Sequence, residues 1–117
     1  MKMKNKGKIG EAIAVKFLSD KGYKILRRNY RYGHGEIDII AMDGDILVFV
    51  EVKTRASDKF GLPEDSVTVK KREQLKKIAS AFLQLNEIKF SECRFDVVSI
   101  MLKGKNTQIN HIENAFQ

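Results

Sequence analysis

Apolar and polar residues alternate through two consecutive runs, Glu36–Met42 and Asp45–Lys53, with Asp43-Gly44 between them. Alternation with period two predicts strands, because successive side chains in a strand point to opposite faces. Asp-Gly tolerates positive φ in a two-residue turn, so the segment reads as a hairpin turning at Asp43 and Gly44. In that frame Met42 opposes Asp45, Ile40 opposes Leu47, Asp38 opposes Phe49 and Glu36 opposes Glu51. One face then carries Ile37, Ile39, Ala41, Ile46, Val48, Val50 and Val52 without a polar side chain, and reads as core. The other gathers Glu36, Asp38, Phe49, Glu51 and Lys53.

The remaining pattern supplies the layers around this hairpin. Lys6 to Lys21 has helical periodicity and is closed by Gly22 as a C-terminal cap. Tyr23–Tyr32 reads as a first strand and Gly33-His34-Gly35 as a turn. Thr54–Asp65, with Gly61 and Pro63, reads as a loop beside the acidic face. Thr68–Leu85 places Leu75, Ile78, Ala79, Phe82 and Leu83 on one side of a second helix. Arg94–Leu102 is an apolar fourth strand, Gly104-Lys105-Asn106 a turn, and Gln108–Glu113 an edge strand. The expected class is α/β: a central mixed sheet of about five strands flanked by helices. A helical crossover should make the fourth strand parallel to its neighbour. The 117 residues are expected to form one domain.

The acidic face carries the candidate chemistry. As a diagonal neighbour of Glu51, Asp38 would lie roughly 7–8 Å from it along the backbone. Two unpaired acids at this spacing repel, and a bound divalent cation removes the repulsion. Oxygen-only ligands suit Mg²⁺ or Mn²⁺ rather than zinc. Lys53, two residues beyond Glu51 on the same face, would place an ammonium where it can orient a water or a phosphate oxygen. The alternative is an exposed sheet face with cross-strand charge pairs. Glu11 projects into the helical stripe of Ala14, Val15 and Leu18 rather than among the lysines. It is therefore either a third carboxylate for metal or water, or a solvent-facing glutamate.

Charge narrows the partners. Residues 1–34 hold seven lysines and three arginines against Glu11 and Asp20, a balance of +8 in a chain of net charge +7. Such concentration is the footprint of a polyanion, nucleic acid or an anionic membrane surface. Arg27, Arg28 and Arg31 interleave with Tyr23, Tyr30 and Tyr32, a mixture able to fork phosphates and stack bases. Lys70, Lys71, Arg72, Lys76 and Lys77 crowd the second helix, either gripping backbone phosphates or forming a solvated face. The single cysteine, Cys93, makes no intramolecular disulfide, and no apolar run approaches the ~20 residues of a membrane span. With no signal-peptide core, the expected location is cytoplasmic, with no membrane partner. His34 reads as a turn residue, Asp96 as closing the sheet end through Arg94 or a backbone amide, and His111 carries no argument.

Asp38 followed by Glu51-Val52-Lys53, after a helix bearing Glu11, resembles the PD-(D/E)XK nuclease signature of the restriction-endonuclease-like fold. Gly35-Glu36-Ile37-Asp38-Ile39-Ile40, the run Phe49–Arg55, Arg94-Phe95-Asp96-Val97-Val98 and the ending Ile112–Phe116 resemble the bacterial YraN family, from Gly10 to Phe116. That family is a set of predicted endonucleases similar to archaeal Holliday junction resolvases. Ile37 departs from the proline of the fold's name. The resemblance implies a metal-dependent DNA endonuclease in which Asp38, Glu51, Lys53 and Glu11 are catalytic. Asp38, Glu51, Glu11 and the Val52 carbonyl would then hold Mg²⁺ (or Mn²⁺); Glu36 is either an accessory acid or a partner of Arg55 or Lys53. Arg27, Arg28, Arg31, Arg55 and Lys71 would contact nucleic acid. Likeness to resolvases points to branched or distorted DNA, and symmetric cutting of both strands would require a homodimer. Two other functions fit the same residues: a catalytically silent nucleic-acid-binding module, and a basic interaction protein that docks acidic partners.

Overall fold

A computed structural model describes residues 4–56 and 67–117, with side chains in the first helix described from residue 7. The chain runs α1 (Lys4–Asp20), β1 (Lys24–Tyr32), β2 (Gly35–Asp43), β3 (Ile46–Arg55), α2 (Val69–Leu85), β4 (Glu92–Lys103) and β5 (Asn106–Phe116). The five strands form one sheet in sequence order. All neighbours are antiparallel except β3 and β4, which the α2 crossover makes parallel, as the pattern predicts. A five-stranded mixed sheet flanked by two helices is consistent with the restriction-endonuclease-like fold.

The helices cover opposite faces. Leu75, Ile78, Ala79 and Phe82 of α2 pack with Ile40, Leu47, Phe49, Val97 and Phe116. Ala14 and Leu18 of α1 pack with Ile39, Ala41, Val48, Val50, Val98 and Ile100. The end of α1 is fixed by Gly22 at φ 95, where Gly22 N donates to Ser19 O and Tyr23 N to Leu18 O. That pair of bonds is a Schellman cap, closing the helix at the predicted glycine. Thr68 Oγ1 accepts from Lys71 N to cap α2, and Asn86 Nδ2 closes its other end on Phe82 O. Among the described residues no helix is long and apolar enough to cross a membrane.

Three sequence expectations need correction. The hairpin turns at Gly44-Asp45, not Asp43-Gly44: Asp43 pairs with Ile46, Met42 with Leu47 and Ile40 with Phe49. Gly44 takes the left-handed position (φ 62), and the Asp45 carbonyl is pinned by Ser91 N. Because every pairing moves by two residues, each side chain keeps its face and only its partner changes. Second, Ile37 does not join Ile39 and Ala41 on the α1 side; it packs with Ile40 and Ile78 on the α2 side. Strict alternation therefore fails between Ile37 and Ile39, at Asp38. Third, Thr54 and Arg55 belong to β3 rather than to a loop and Ala56 follows as a bend, while the rest of the expected loop, residues 57–65, lies outside the described residues. Smaller shifts are β4 beginning at Glu92, β5 spanning Asn106–Phe116, and a turn at Gly104-Lys105.

Candidate metal centre

Three irregularities meet at one place. The β2–β3 ladder ends at the pair Ile39–Val50. Beyond it the Asp38 carboxylate, not a backbone carbonyl, receives Val52 N, at 2.8 Å. Opposite, Arg28 pairs with Ile39 and Tyr30 with Ile37, and Asn29 between them adopts φ 51, a region Asn tolerates better than most residues. The strands thus part where Asp38 turns inward. Helix α1 comes close to β3 here, since a Cβ on Gly10 would run into Thr54 Oγ1. The absent side chain at residue 10 lets the next residue, Glu11, reach the gap.

Glu11, Glu36 and Asp38 each present a carboxylate oxygen within 4.8 Å of the others, and all three are partly buried. Asn29 Nδ2 bridges two of them, 2.8 Å from Glu11 Oε1 and 3.3 Å from Glu36 Oε2. Arg31 Nη2 offsets Glu36 from the strand edge at 3.2 Å. The expected opposition of Glu36 to Glu51 does not occur, because the hairpin frame is shifted. Glu51 lies beside this group rather than within it. It is 7% exposed, and its Oε2 is 3.5 Å from Lys53 Nζ and 3.6 Å from Lys71 Nζ.

Burial, then the neighbouring Glu51, push the Asp38 carboxyl up to about 7, against the opposing bond from Val52 N. Burial and neighbouring carboxylates both disfavour the charged form, and a divalent cation placed among them would favour it. The set is all oxygen: Asp38, Glu11 and Glu36, with Glu51 at its edge. That chemistry fits Mg²⁺ or Mn²⁺.

The sequence-predicted cations separate into two groups. Lys53 and Lys71 come to the acids, Lys71 arriving from α2. Of the β1 arginines, Arg31 pairs with Glu36 while staying largely exposed, Arg28 is exposed, and Arg27 turns toward α2, bonding Leu26 O and Asn86 and lying over Phe82. Arg55 ends β3 at intermediate exposure. Asn29 was not identified from the sequence. Its one signal is a tolerance of positive φ that only matters once the break in the β2–β3 ladder is known.

A second polar cluster lies on the α1 side. Asp96 is buried, held by Arg94 through two bonds (2.9 and 3.1 Å), by His111 Nε2 (2.7 Å) and by Asn114 N (3.0 Å). Lys21 Nζ is 2.9 Å from His111 Nδ1. An ammonium can only donate, so Nδ1 accepts and Nε2–H points to Asp96. Burial would raise the Asp96 carboxyl, but the bonds from His111, Arg94 and Asn114 outweigh it and leave it below the ordinary value. Tyr23, whose hydroxyl accepts from Arg94, is pushed up to about 12, mainly by burial. Asp96 thus closes the sheet end through Arg94 and a backbone amide, as predicted. His111 was missed. Among the described residues no buried side-chain nitrogen or oxygen lacks a partner, so this cluster is saturated.

Residues 10–100 match the family described as uncharacterised protein family UPF0102. The chain is 52% identical to a UPF0102 protein of Caldicellulosiruptor bescii, over 99% of this chain and 100% of the relative. It is 48% identical to one from Dictyoglomus turgidum and 48% identical to one from Clostridioides difficile, each over 99% of this chain and 100% of the relative. The match takes in Glu11, Asn29, Asp38, Glu51 and Lys71, and the chain belongs to the UPF0102 family.

Proposed function

We propose that this protein is a divalent-metal-dependent endonuclease acting on DNA. The observation that supports it most is the Asp38 carboxylate, turned into the gap where the hairpin ladder stops, with Glu11 and Glu36 beside it and Glu51 and Lys53 adjacent. An ordinary surface of cross-strand charge pairs would neither interrupt a ladder nor hold a carboxyl near 7. Resemblance to the PD-(D/E)XK signature supplies the reaction class.

In this reading Asp38, Glu11 and Glu36 hold Mg²⁺ or Mn²⁺, with Glu51 and the Val52 carbonyl as further oxygen donors. The bound ion supplies polarisation of a phosphoryl oxygen and charge relief at the departing 3′-oxygen. Lys53 orients the attacking water and offsets charge on the phosphate. Lys71 holds Glu51 from the other side and keeps its carboxylate near the centre. Arg28 and Arg31 on the edge strand meet backbone phosphates, which position DNA without reading its sequence. The resemblance to junction resolvases extends this reading to branched DNA as substrate and a homodimer as assembly, with the cytoplasm as the expected location.

One observation favours a second reading, a nucleic-acid-binding module without catalysis. Glu51 is flanked by two ammonium groups and Glu36 by Arg31, so much of the acid charge is compensated without metal. The experiment that separates the two is end-labelled junction, flap, duplex, single-stranded and RNA substrates incubated with Mg²⁺, with Mn²⁺ and with EDTA. Metal-dependent cutting with junctions or flaps ahead of duplex supports the nuclease. DNA that is bound and never cut supports the module.

A further inference from the structure

On the α2 side of the sheet, the turn between β1 and β2 and the first half of α2 border a groove of about 700 Å³. Its floor is apolar. Ile78 is buried there, and Gly35 is bare because a Cβ would meet Ile78 Cδ1 and the Gln74 amide at 2.8 Å. Tyr32, half exposed, stands on its wall. The rim carries Lys70, Lys71 and Lys77 against one acid, Glu73. Lys71 is also 3.6 Å from Glu51, so one side chain of the rim reaches the acidic centre.

We propose that this groove takes an unpaired stretch of nucleic acid and leads its backbone past Lys71 to the carboxylates. An apolar floor with an exposed aromatic wall and a cationic rim is the combination that binds single strands: bases stack while lysines follow the phosphates. A duplex cannot use it. Its bases are stacked on one another, and it offers a protein only backbone and groove edges. The volume falls within the roughly 300–1,000 Å³ range of small-ligand sites. It matches a base or two with their phosphates, not a turn of helix. Delivery to the carboxylates rests on the nuclease reading above, whereas occupancy by an unpaired strand does not.

The test is fluorescence anisotropy of the whole chain in EDTA, where metal-dependent cutting is silent. The probes are an oligothymidylate of about 12 nucleotides and a duplex of equal length. The single strand should bind about tenfold tighter than the duplex or better. Tyr32→Ala, and separately the double variant Lys70→Glu/Lys77→Glu, should each weaken single-strand binding by about tenfold while moving duplex binding less than about twofold. All three residues are exposed, so the fold tolerates the changes. Equal affinity for the two probes, or equal weakening of both by the variants, overturns the proposal. Single-strand preference in a protein that cuts nothing with Mg²⁺ or Mn²⁺ keeps the groove and removes the nuclease. Cutting without that preference does the reverse.

Discussion

The side-chain nitrogen of Asn29 lies 2.8 Å from Glu11 Oε1, tying the edge strand to α1 across the acidic gap. The bond exists because Asn29 sits at φ 51, aimed at the break rather than along the strand. Two costs are therefore combined in one residue. Asn29→Ala should lose about 1–2 kcal/mol to the left-handed backbone and about 1 kcal/mol to the missing bond. Asn29→Gly should lose only the second. Urea unfolding of the two variants measures the difference, and equal stability would show that the backbone there carries no strain.

Asp38 makes metal-free stability depend on pH in an unusual direction. Its folded value is pushed up to about 7, whereas an unfolded Asp titrates near 3.9. The folded state thus holds a proton that the unfolded chain has released. Stability from this group is greatest in acid and falls as pH rises from about 4 through about 7. Asp38→Asn keeps an acceptor for Val52 N without the charge. Between pH 5 and 8, in EDTA, wild type should lose on the order of 1–3 kcal/mol relative to Asp38→Asn. Thermal unfolding at both pH values gives the answer, and parallel pH profiles would contradict the assignment.

Asp96 has the opposite sign. Its folded value is depressed, so its contribution is present above the unfolded value near 3.9 and is lost as pH falls toward the folded one. Removing one partner of a buried ion pair typically costs about 3–5 kcal/mol. Asp96→Ala should show a loss of that size at pH 7, by chemical denaturation, shrinking as the pH is taken below 4. A loss under about 1 kcal/mol at pH 7 would mean that Arg94 and His111 find new partners.

The edge strand gives a salt-dependent prediction. DNA affinity should fall linearly with salt on a log–log scale, each phosphate contact contributing about 0.9 to the slope. Replacing Arg28 and Arg31 by alanine should flatten that slope by up to about 2. Arg27, turned toward Phe82 and Asn86, should add little. An unchanged slope in the double variant would show that β1 faces away from DNA.

Element order, the parallel crossover to β4 and the buried face of α2 follow from the sequence because period and capping are local: Gly22, Thr68 and the stripe Leu75–Phe82 each carry their own signal. The hairpin frame is a harder quantity. Asp43-Gly44 and Gly44-Asp45 differ by two residues in pairing yet leave every face unchanged, so hydrophobic alternation cannot choose between them. Ile37 escapes for a different reason. Alternation presumes an unbroken ladder, and Asp38 breaks it. The same device recurs at Asp96, which accepts the backbone N–H of Asn114, a second Asn with positive φ (52°) beside a register shift. Asn29 and His111 act through neighbours 18 and 15 residues distant, which no local pattern announces.

The central claim is that the acids around Asp38 serve metal-dependent phosphodiester cleavage. The most direct measurement is the rate of Mg²⁺- or Mn²⁺-dependent cleavage of an end-labelled branched DNA by wild type, Asp38→Asn, Glu51→Gln and Lys53→Ala, at protein concentrations where each binds the DNA. One electrostatic contributor is worth about 10²–10³ in rate. Each variant should therefore fall by at least that factor while retaining binding and fold. Wild-type cutting by Glu51→Gln, or metal-dependent cutting absent from the native protein while DNA is bound, would contradict the account.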